Sequence, residues 1–288
     1  VDDVFSTWKP ESPVSRLRRG EIRVEDAPPE LAEVLELCRR AREASDDWFD
    51  PWAMPGGVDP TGLVKGWAAQ RALRIIEEAG VPAAMINAGG DIAVYGRPAP
   101  GQSWRIGIQH PLDRGRILVT ADLAGAGAVA TSGSYERGEH VVDPRAGRPT
   151  SALLSATVIG HDLGYADALA TGLYASRGAL LERLSLLTGY HGFIVDARGV
   201  IHASRGFPIA LHGVEAVPAR RREDGGDHGG GDSARRPQEP GSESVTWVPS
   251  PTRLATVSSP PIPRTAQSAM ASPSPEPPRS RERASSAR

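Results

Sequence analysis

The densest run of groups that could do chemistry is Gly56-Gly57-Val58-Asp59-Pro60-Thr61-Gly62-Leu63-Val64-Lys65-Gly66, a glycine-rich turn that carries an acid and a base into the start of a helix. Backbone N–H groups at a helix start and the Lys65 ammonium both suit an anion such as phosphate. It is not a Walker A loop, because Lys65 does not directly follow the second glycine and no Ser or Thr comes after it. A solvated helix start with Pro60 as its first residue fits the same spacing. Asn87-Ala88-Gly89-Gly90-Asp91 is a second glycine-rich turn, but it lacks the Gly-x-Gly-x-x-Gly pattern of a dinucleotide fold and reads as a tight hairpin. Asp167 and Thr171 stand four apart in Ala166-Asp-Ala-Leu-Ala-Thr171, which on a helix puts a carboxylate and a hydroxyl on one face. Two hard oxygens so placed suit Mg2+; a carboxylate resting beside a helix dipole is the competing explanation.

Thr131-Ser132-Gly133-Ser134-Tyr135 followed by Gly138-Glu139-His140-Val141-Val142-Asp143-Pro144 places hydroxyls and an imidazole on adjoining strands. His140 is a candidate general base, since its unperturbed pKa lies near neutrality, and a structural histidine is the alternative. A hydrolase triad of Ser132, His140 and Asp143 is rejected, because no strained Gly-x-Ser-x-Gly elbow is present. The run Asp46-Asp47-Trp48-Phe49-Asp50-Pro51-Trp52 sets two indoles and a phenyl beside a turn, where flat rings either stack on a flat ligand or pack into a core.

These groups need elements to position them. Leu31, Val34, Leu35, Cys38 and Ala41 recur at helical spacing after Pro28-Pro29 and predict an amphipathic helix. A second helix follows Pro60-Thr61 and ends at Gly80. Strands are expected at 83–87 and 92–95, joined by the 87–91 turn, then at 104–109, 117–123, 128–132, 140–142 and 153–159. Helices are expected at 165–176 and 179–187, and a last strand pair at 192–196 and 200–204. Helices interleaved with mostly antiparallel strands predict an α+β class of mixed sheets with packed helices.

Past residue 211 the periodic apolar pattern gives way to a Gly, Pro, Ser and Arg mixture, so 212–288 is expected to be a disordered tail on a single domain over 1–211. The 288-residue chain carries 33 basic against 35 acidic side chains, so no net field draws it to nucleic acid or anionic lipid. Cys38 is the single cysteine, which excludes an intramolecular disulfide and a Cys-rich zinc site. No stretch reaches the roughly 18 apolar residues of a membrane helix. Val1-Asp-Asp-Val-Phe already reads as structured chain, so a preceding segment is expected, and location stays open between the cytoplasm and the outer face of a membrane reached through a leader.

In order and spacing, the set Phe5-Ser-Thr-Trp8 with Ser12 to Leu17, Phe49-Asp50-Pro51, Asp59-x-x-Gly62-x-x-Lys65-Gly66, Asn87-Ala-Gly-Gly-Asp91, Thr131-Ser132-Gly133, His140-x-x-Asp143-Pro144-x-x-Gly147 and Ala166-Asp167-Ala-Leu-Ala-Thr171 resembles the ApbE-type FAD:protein FMN transferases. The resemblance spans essentially all of 1–211 and implies an N-terminally incomplete domain with the family's fold. Where the family has a small residue before the aromatic, Asp47 stands here, and Arg18 or Arg19 replaces an Asn near the end of the Ser12 segment. The implied activity is Mg2+-dependent transfer of the FMN half of FAD to a Thr or Ser of an acceptor protein, with release of AMP. Implied acceptors are flavoproteins such as subunits of membrane redox pumps or reductases. The resemblance implies a metal held by the Gly62 carbonyl with Asp167 and Thr171, and FAD contacts from Asp59 and Lys65. It further implies that Trp8, Asp47, Trp48 and Phe49 lie along the flavin or adenine, and that His140 is the base for the acceptor hydroxyl. Two rival readings share these residues: an FAD pyrophosphatase, with water in place of the acceptor, and a non-catalytic FAD-binding protein.

Overall fold

The computed structural model describes residues 1–133 and 141–209, so the candidate base His140 and the segment 212–288 expected to be disordered lie outside the described residues. The chain opens with two short helices, α1 (Asp2–Phe5) and α2 (Pro13–Arg18). Ser12 caps α2 by accepting from Ser15 N at 3.1 Å, and Pro13 takes the first helical position, where its missing N–H costs nothing. Helix α3 (Pro29–Ala44) follows, and all five residues of its expected stripe, Leu31, Val34, Leu35, Cys38 and Ala41, are buried. Helix α4 (Thr61–Glu78) comes next, then strands β1 (Ala84–Ala88) and β2 (Asp91–Tyr95). Gly89 and Gly90 turn that hairpin with φ of 64° and 99°, the pair of left-handed residues that a two-residue hairpin turn demands.

Strands β3 (Trp104–His110), β4 (Asp113–Leu123), β5 (Gly127–Gly133), β6 (Val142–Asp143), β7 (Arg148–Pro149) and β8 (Leu153–Gly160) lead to helix α5 (Leu163–Ala175). A short helix α6 (Leu181–Leu184) and strands β9 (His191–Asp196) and β10 (Ile201–Ala203) complete the described chain. The helix expected over 179–187 is thus a single four-residue turn, with Ala179, Leu180 and Ser185 to Leu187 in turns or bends around it. Gly178, at φ 88°, breaks away from α5 just before it. The class is α+β. One sheet runs β1-β2-β5-β8-β9-β10 with every neighbouring pair antiparallel.

Three buried clusters tie the layers together. Leu73 of α4 and Leu163, Leu169 and Leu173 of α5 pack against Ala93, Ala130, Val158 and Ile194 on one face of the sheet. The β3–β4 hairpin covers the opposite face, where Ile106, Ile108, Leu118 and Val119 meet Val129, Phe193 and Val195. Alternation along β5 (Ala128 and Ala130 one way, Val129 the other) supplies both faces from one strand. The N-terminal helices form a third layer, with Phe5, Leu31, Val34 and Cys38 against Leu63, Val64 and Trp67 of α4. Among the described residues no helix is long and apolar enough to cross a membrane.

Helices α4 and α5 cross almost backbone to backbone. A Cβ at Gly66 would stand 2.5 Å from the Leu163 carbonyl oxygen and 2.9 Å from Gly164 Cα, and one at Gly164 would stand 3.0 Å from Trp67 N. Since the obstacles are main-chain atoms, Gly66→Ala must push the helices apart. It is expected to lower unfolding stability by about 1–3 kcal/mol, read as a fall in the urea midpoint.

The β9–β10 turn is closed by Asp196, whose Oδ1 accepts from Arg198 N at 2.8 Å and Val200 N at 2.9 Å. Burial pushes its carboxyl upward, but these donors and His202 outweigh it and hold the group below the usual carboxylate range. Stabilisation from this group is therefore present above the unfolded carboxyl pKa and is lost as pH falls through the folded one. Asp196→Asn is expected to be less stable than the wild type at pH 7 and to converge with it toward pH 3, measured by chemical denaturation at each pH.

Candidate active site

Helix α5 is buried on nearly every side, as suits its sequence Leu-Gly-Tyr-Ala-Asp-Ala-Leu-Ala-Thr-Gly-Leu-Tyr-Ala. Its charged residue Asp167 is 5% exposed, and a carboxylate in such surroundings demands partners. The close crossing supplies one, because Gly66 N donates to Asp167 Oδ2 at 3.3 Å. One turn along α5, Thr171 Oγ1 lies 3.4 Å from Ser132 Oγ at the end of β5. A Cβ at Gly62 would meet Phe49 Cε2 at 3.2 Å and Thr171 Oγ1 at 3.8 Å, so the first turn of α4 closes directly onto this face of α5.

These groups border one cavity, lined also by Trp48, Asp50, Pro51, Met54, Asp59, Thr61, Lys65, Thr131, Val141 and Val142. The Lys65 ammonium enters it from α4, 2.5 Å from Asp91 Oδ2 and 3.9 Å from Asp167 Oδ1. Asp59 stands at the start of α4, where its Oδ1 accepts from Thr61 N at 3.0 Å and its own N–H donates to the Pro51 carbonyl at 2.9 Å. The loop before it is turned by Gly56 and Gly57, at φ 81° and 101°, and fastened by Arg18. The Arg18 guanidinium donates to the carbonyls of Gly56 and Pro55, each at 2.9 Å, and comes within 3.8 Å of Asp59 Oδ2.

Trp48 reaches the cavity from a backbone that side chains rarely adopt. Asp46 and Asp47 both have positive φ, 53° and 60°, a conformation costing on the order of 1 kcal/mol or more each. Several bonds hold the turn. Arg145 donates to the Asp46 carbonyl at 2.7 Å and to its Oδ2 at 3.0 Å, Arg42 pairs with Asp47 at 2.7 Å, and Ser45 Oγ accepts from Phe49 N at 3.0 Å. The Arg145 guanidinium then lies over the Trp48 ring at 4.0 Å, a cation–π contact. Arg145 is itself placed by Asp143, whose Oδ1 accepts from Arg145 N at 3.0 Å.

The structure thus gathers Trp48, Phe49, Asp59, Gly62, Lys65, Asp167 and Thr171 around one cavity. Phe49 is buried and forms part of its wall rather than an open stacking surface. Two expected ligand contacts do not fall there. Trp8 is 92% exposed, on a turn pinned by Ser6 Oγ, and Asp47 points outward to Arg42. His140 precedes Val141 in the chain but lies outside the described residues. Arg18, Arg145 and Asp91 were not singled out from the residues as site groups. Of the three, only Asp91 belongs to a segment read as a glycine-rich turn, and that turn explains its glycines, not its acid.

Chemically, the cavity is lined by the carboxylates of Asp50, Asp59 and Asp167, by hydroxyls, by the first turn of α4 at Gly62 and by the Lys65 ammonium; of these, Asp167 and Thr171 with Gly62 are the set expected to hold a metal. Among the described residues no group of three or more His, Cys, Asp or Glu side chains is set to hold a metal. An all-oxygen set with one carboxylate fits Mg2+, which takes one or two carboxylates and leaves its other positions to water and phosphate, and does not fit zinc or copper. Cys38 is no nucleophile: burial first, then the charge of Asp59, pushes its thiol far above the usual range.

Residues 53–184 match the sequence profile of the ApbE family. The chain is 37% identical over 126 residues to the FAD:protein FMN transferase of Salmonella typhimurium, covering 40% of this chain and 36% of that protein. It is 32% identical over 167 residues to the one from Rhodobacter capsulatus, covering 55% of this chain and 32% of that protein. The chain therefore spans about a third of the length of these relatives. Among solved structures it resembles the ApbE protein of Thermotoga maritima, with a TM-score of 0.62 and 24% identity over 70% of this chain and 84% of that one. It also resembles the flavin transferase ApbE of Vibrio cholerae, with a TM-score of 0.60 and 22% identity over 72% of this chain and 85% of that one. At these identities the structural likeness speaks to fold, and it agrees with the sequence match: residues 53–184, which carry most of the cavity lining, are similar to the ApbE family.

Proposed function

We propose that the domain, taken as residues 1–211, transfers the FMN half of FAD to a serine or threonine hydroxyl of an acceptor protein, with Mg2+ as cofactor and AMP as the second product. The observation that carries this reading is the convergence of Asp167, Thr171, Gly62 and Lys65 on one cavity whose donors suit a hard cation beside an anion. The relatives named FAD:protein FMN transferase support it.

The side chains of Asp167 and Thr171 and the Gly62 carbonyl are the groups to hold Mg2+. When bound, the ion neutralises charge on the pyrophosphate and polarises its phosphorus. Lys65 faces the phosphates with a second positive charge, and Asp59 stands at the rim. Trp48, held by Arg145 on a braced turn, offers the flat surface against which a ring of FAD is oriented. In the transfer, the acceptor oxygen forms a bond to the FMN phosphorus and the P–O bond to the AMP phosphate breaks. AMP leaves with that electron pair. The hydroxyl proton passes to a base, assigned to His140, next in sequence to the cavity-lining Val141. A positioned base contributes about 10² to 10⁴-fold. The acceptor is a flavoprotein, and a subunit of a redox pump or reductase is the class we favour.

The test is incubation of the full chain with FAD, Mg2+ and a protein bearing a flavinylation-type Ser/Thr segment. Both AMP and a covalent FMN mass increment on the acceptor are expected. AMP without the increment, repeated across acceptors, would replace transfer by FAD pyrophosphatase activity, and retained FAD with no AMP would leave only a binding protein. Asp167→Ala is expected to slow AMP release on the order of 10²-fold or more, followed by chromatography of the nucleotides.

A further inference from the structure

Asp91 takes no part in the chemistry outlined above, yet it is the most deeply buried carboxylate near the cavity, at 1% exposure. Its position follows from the sheet. Asp91 opens β2 directly after the Gly89-Gly90 turn, and the pairing of β2 with β5 brings Thr131 N to its Oδ1 at 3.0 Å, which fixes the carboxylate. The other oxygen faces Lys65 Nζ at 2.5 Å, as an ion pair rather than an aligned hydrogen bond. The same ammonium stands 3.9 Å from Asp167 Oδ1. Lys65 thus lies between two buried carboxylates and sits much closer to the one that is not a metal-ligand candidate.

An ammonium and a divalent cation compete for the same carboxylate. Coulomb attraction in a low-dielectric site grows steeply as a pair closes to contact, and an unpaired buried ion is costly, so the ammonium goes to whichever carboxylate holds it best. We infer that Asp91 is a positioning residue that holds the Lys65 ammonium off Asp167, leaving that carboxylate for the metal while Lys65 faces the substrate phosphates. This rests on the reading of Asp167 as a metal ligand. Without the Asp91 charge, Lys65 closes onto Asp167 and takes the metal's place.

The test is Mn2+ binding by the full chain without FAD, read by electron paramagnetic resonance of the free ion. The wild type should bind Mn2+ and Asp167→Ala should not; equal binding by both would overturn the metal reading and this inference with it. Given that difference, Asp91→Asn should bind about tenfold more weakly. Adding Lys65→Met to it should restore affinity to within about threefold of wild type, because the competing ammonium is gone. A double variant no better than Asp91→Asn would overturn the inference, since a merely structural role for Asp91 offers no such rescue. Should Asp91→Asn fail to fold, Lys65→Met alone decides: several-fold tighter Mn2+ binding is expected, and weaker binding would refute the competition.

Discussion

The site depends on how closely α4 and α5 approach each other. Glycine at 66 and at 164 removes the side chains that would hold two helices at their usual 8–10 Å, so Gly66 N can reach Asp167 in the middle of an otherwise apolar helix. The same contact brings the first turn of α4, with Gly62, against Thr171. Cavity groups from two distant stretches of sequence, Gly62 on one side and Asp167 with Thr171 on the other, are thereby fixed by one packing constraint, and helix propensity is given up at two positions to obtain it. Because obstacles on both sides are main-chain atoms, this arrangement has little room to relax.

Around that crossing, the remaining parts act as braces. The pairing of β2 with β5 inside the sheet brings Asp91 and Thr131 up beside Lys65, Arg18 fastens the loop that leads into α4, and Arg145 holds the turn that presents Trp48. Each brace joins residues far apart in the chain. Two of them secure backbone carrying positive φ, at Gly56 and Gly57 and at Asp46 and Asp47. Bracing of this kind suits the proposed phosphoryl transfer, whose catalysis is mostly positioning and electrostatics.

Much of this was legible in the sequence, for physical reasons. The stripe of α3 and the alternation of β5 report burial directly, and the Gly89-Gly90 turn is dictated by its φ values, so helices α3, α4 and α5 and the strands of the main sheet fall where periodicity puts them. Asp167 and Thr171 were legible as a pair because helical spacing alone puts them on one face. What was not legible depends on tertiary pairing. The burial of Asp91 exists only once β2 lies beside β5, and the purchase of Arg145 on Asp46 joins residues 99 positions apart. Trp8 and Asp47 show a different limit: a motif position carries a residue to a stretch of chain, while a local turn or a neighbouring arginine sets its side chain outside the lining of the cavity.

Cys38 gives one of these layers a reporter of its own. It is the single cysteine of the 288-residue chain, it lies fully buried between α3 and the elements packed on it, and burial keeps its sulfur protonated. A thiol-reactive dye therefore has one attachment point and no access to it while the N-terminal helices stay docked. The rate of labelling measures how often that layer opens, with native side chains throughout and no engineered probe.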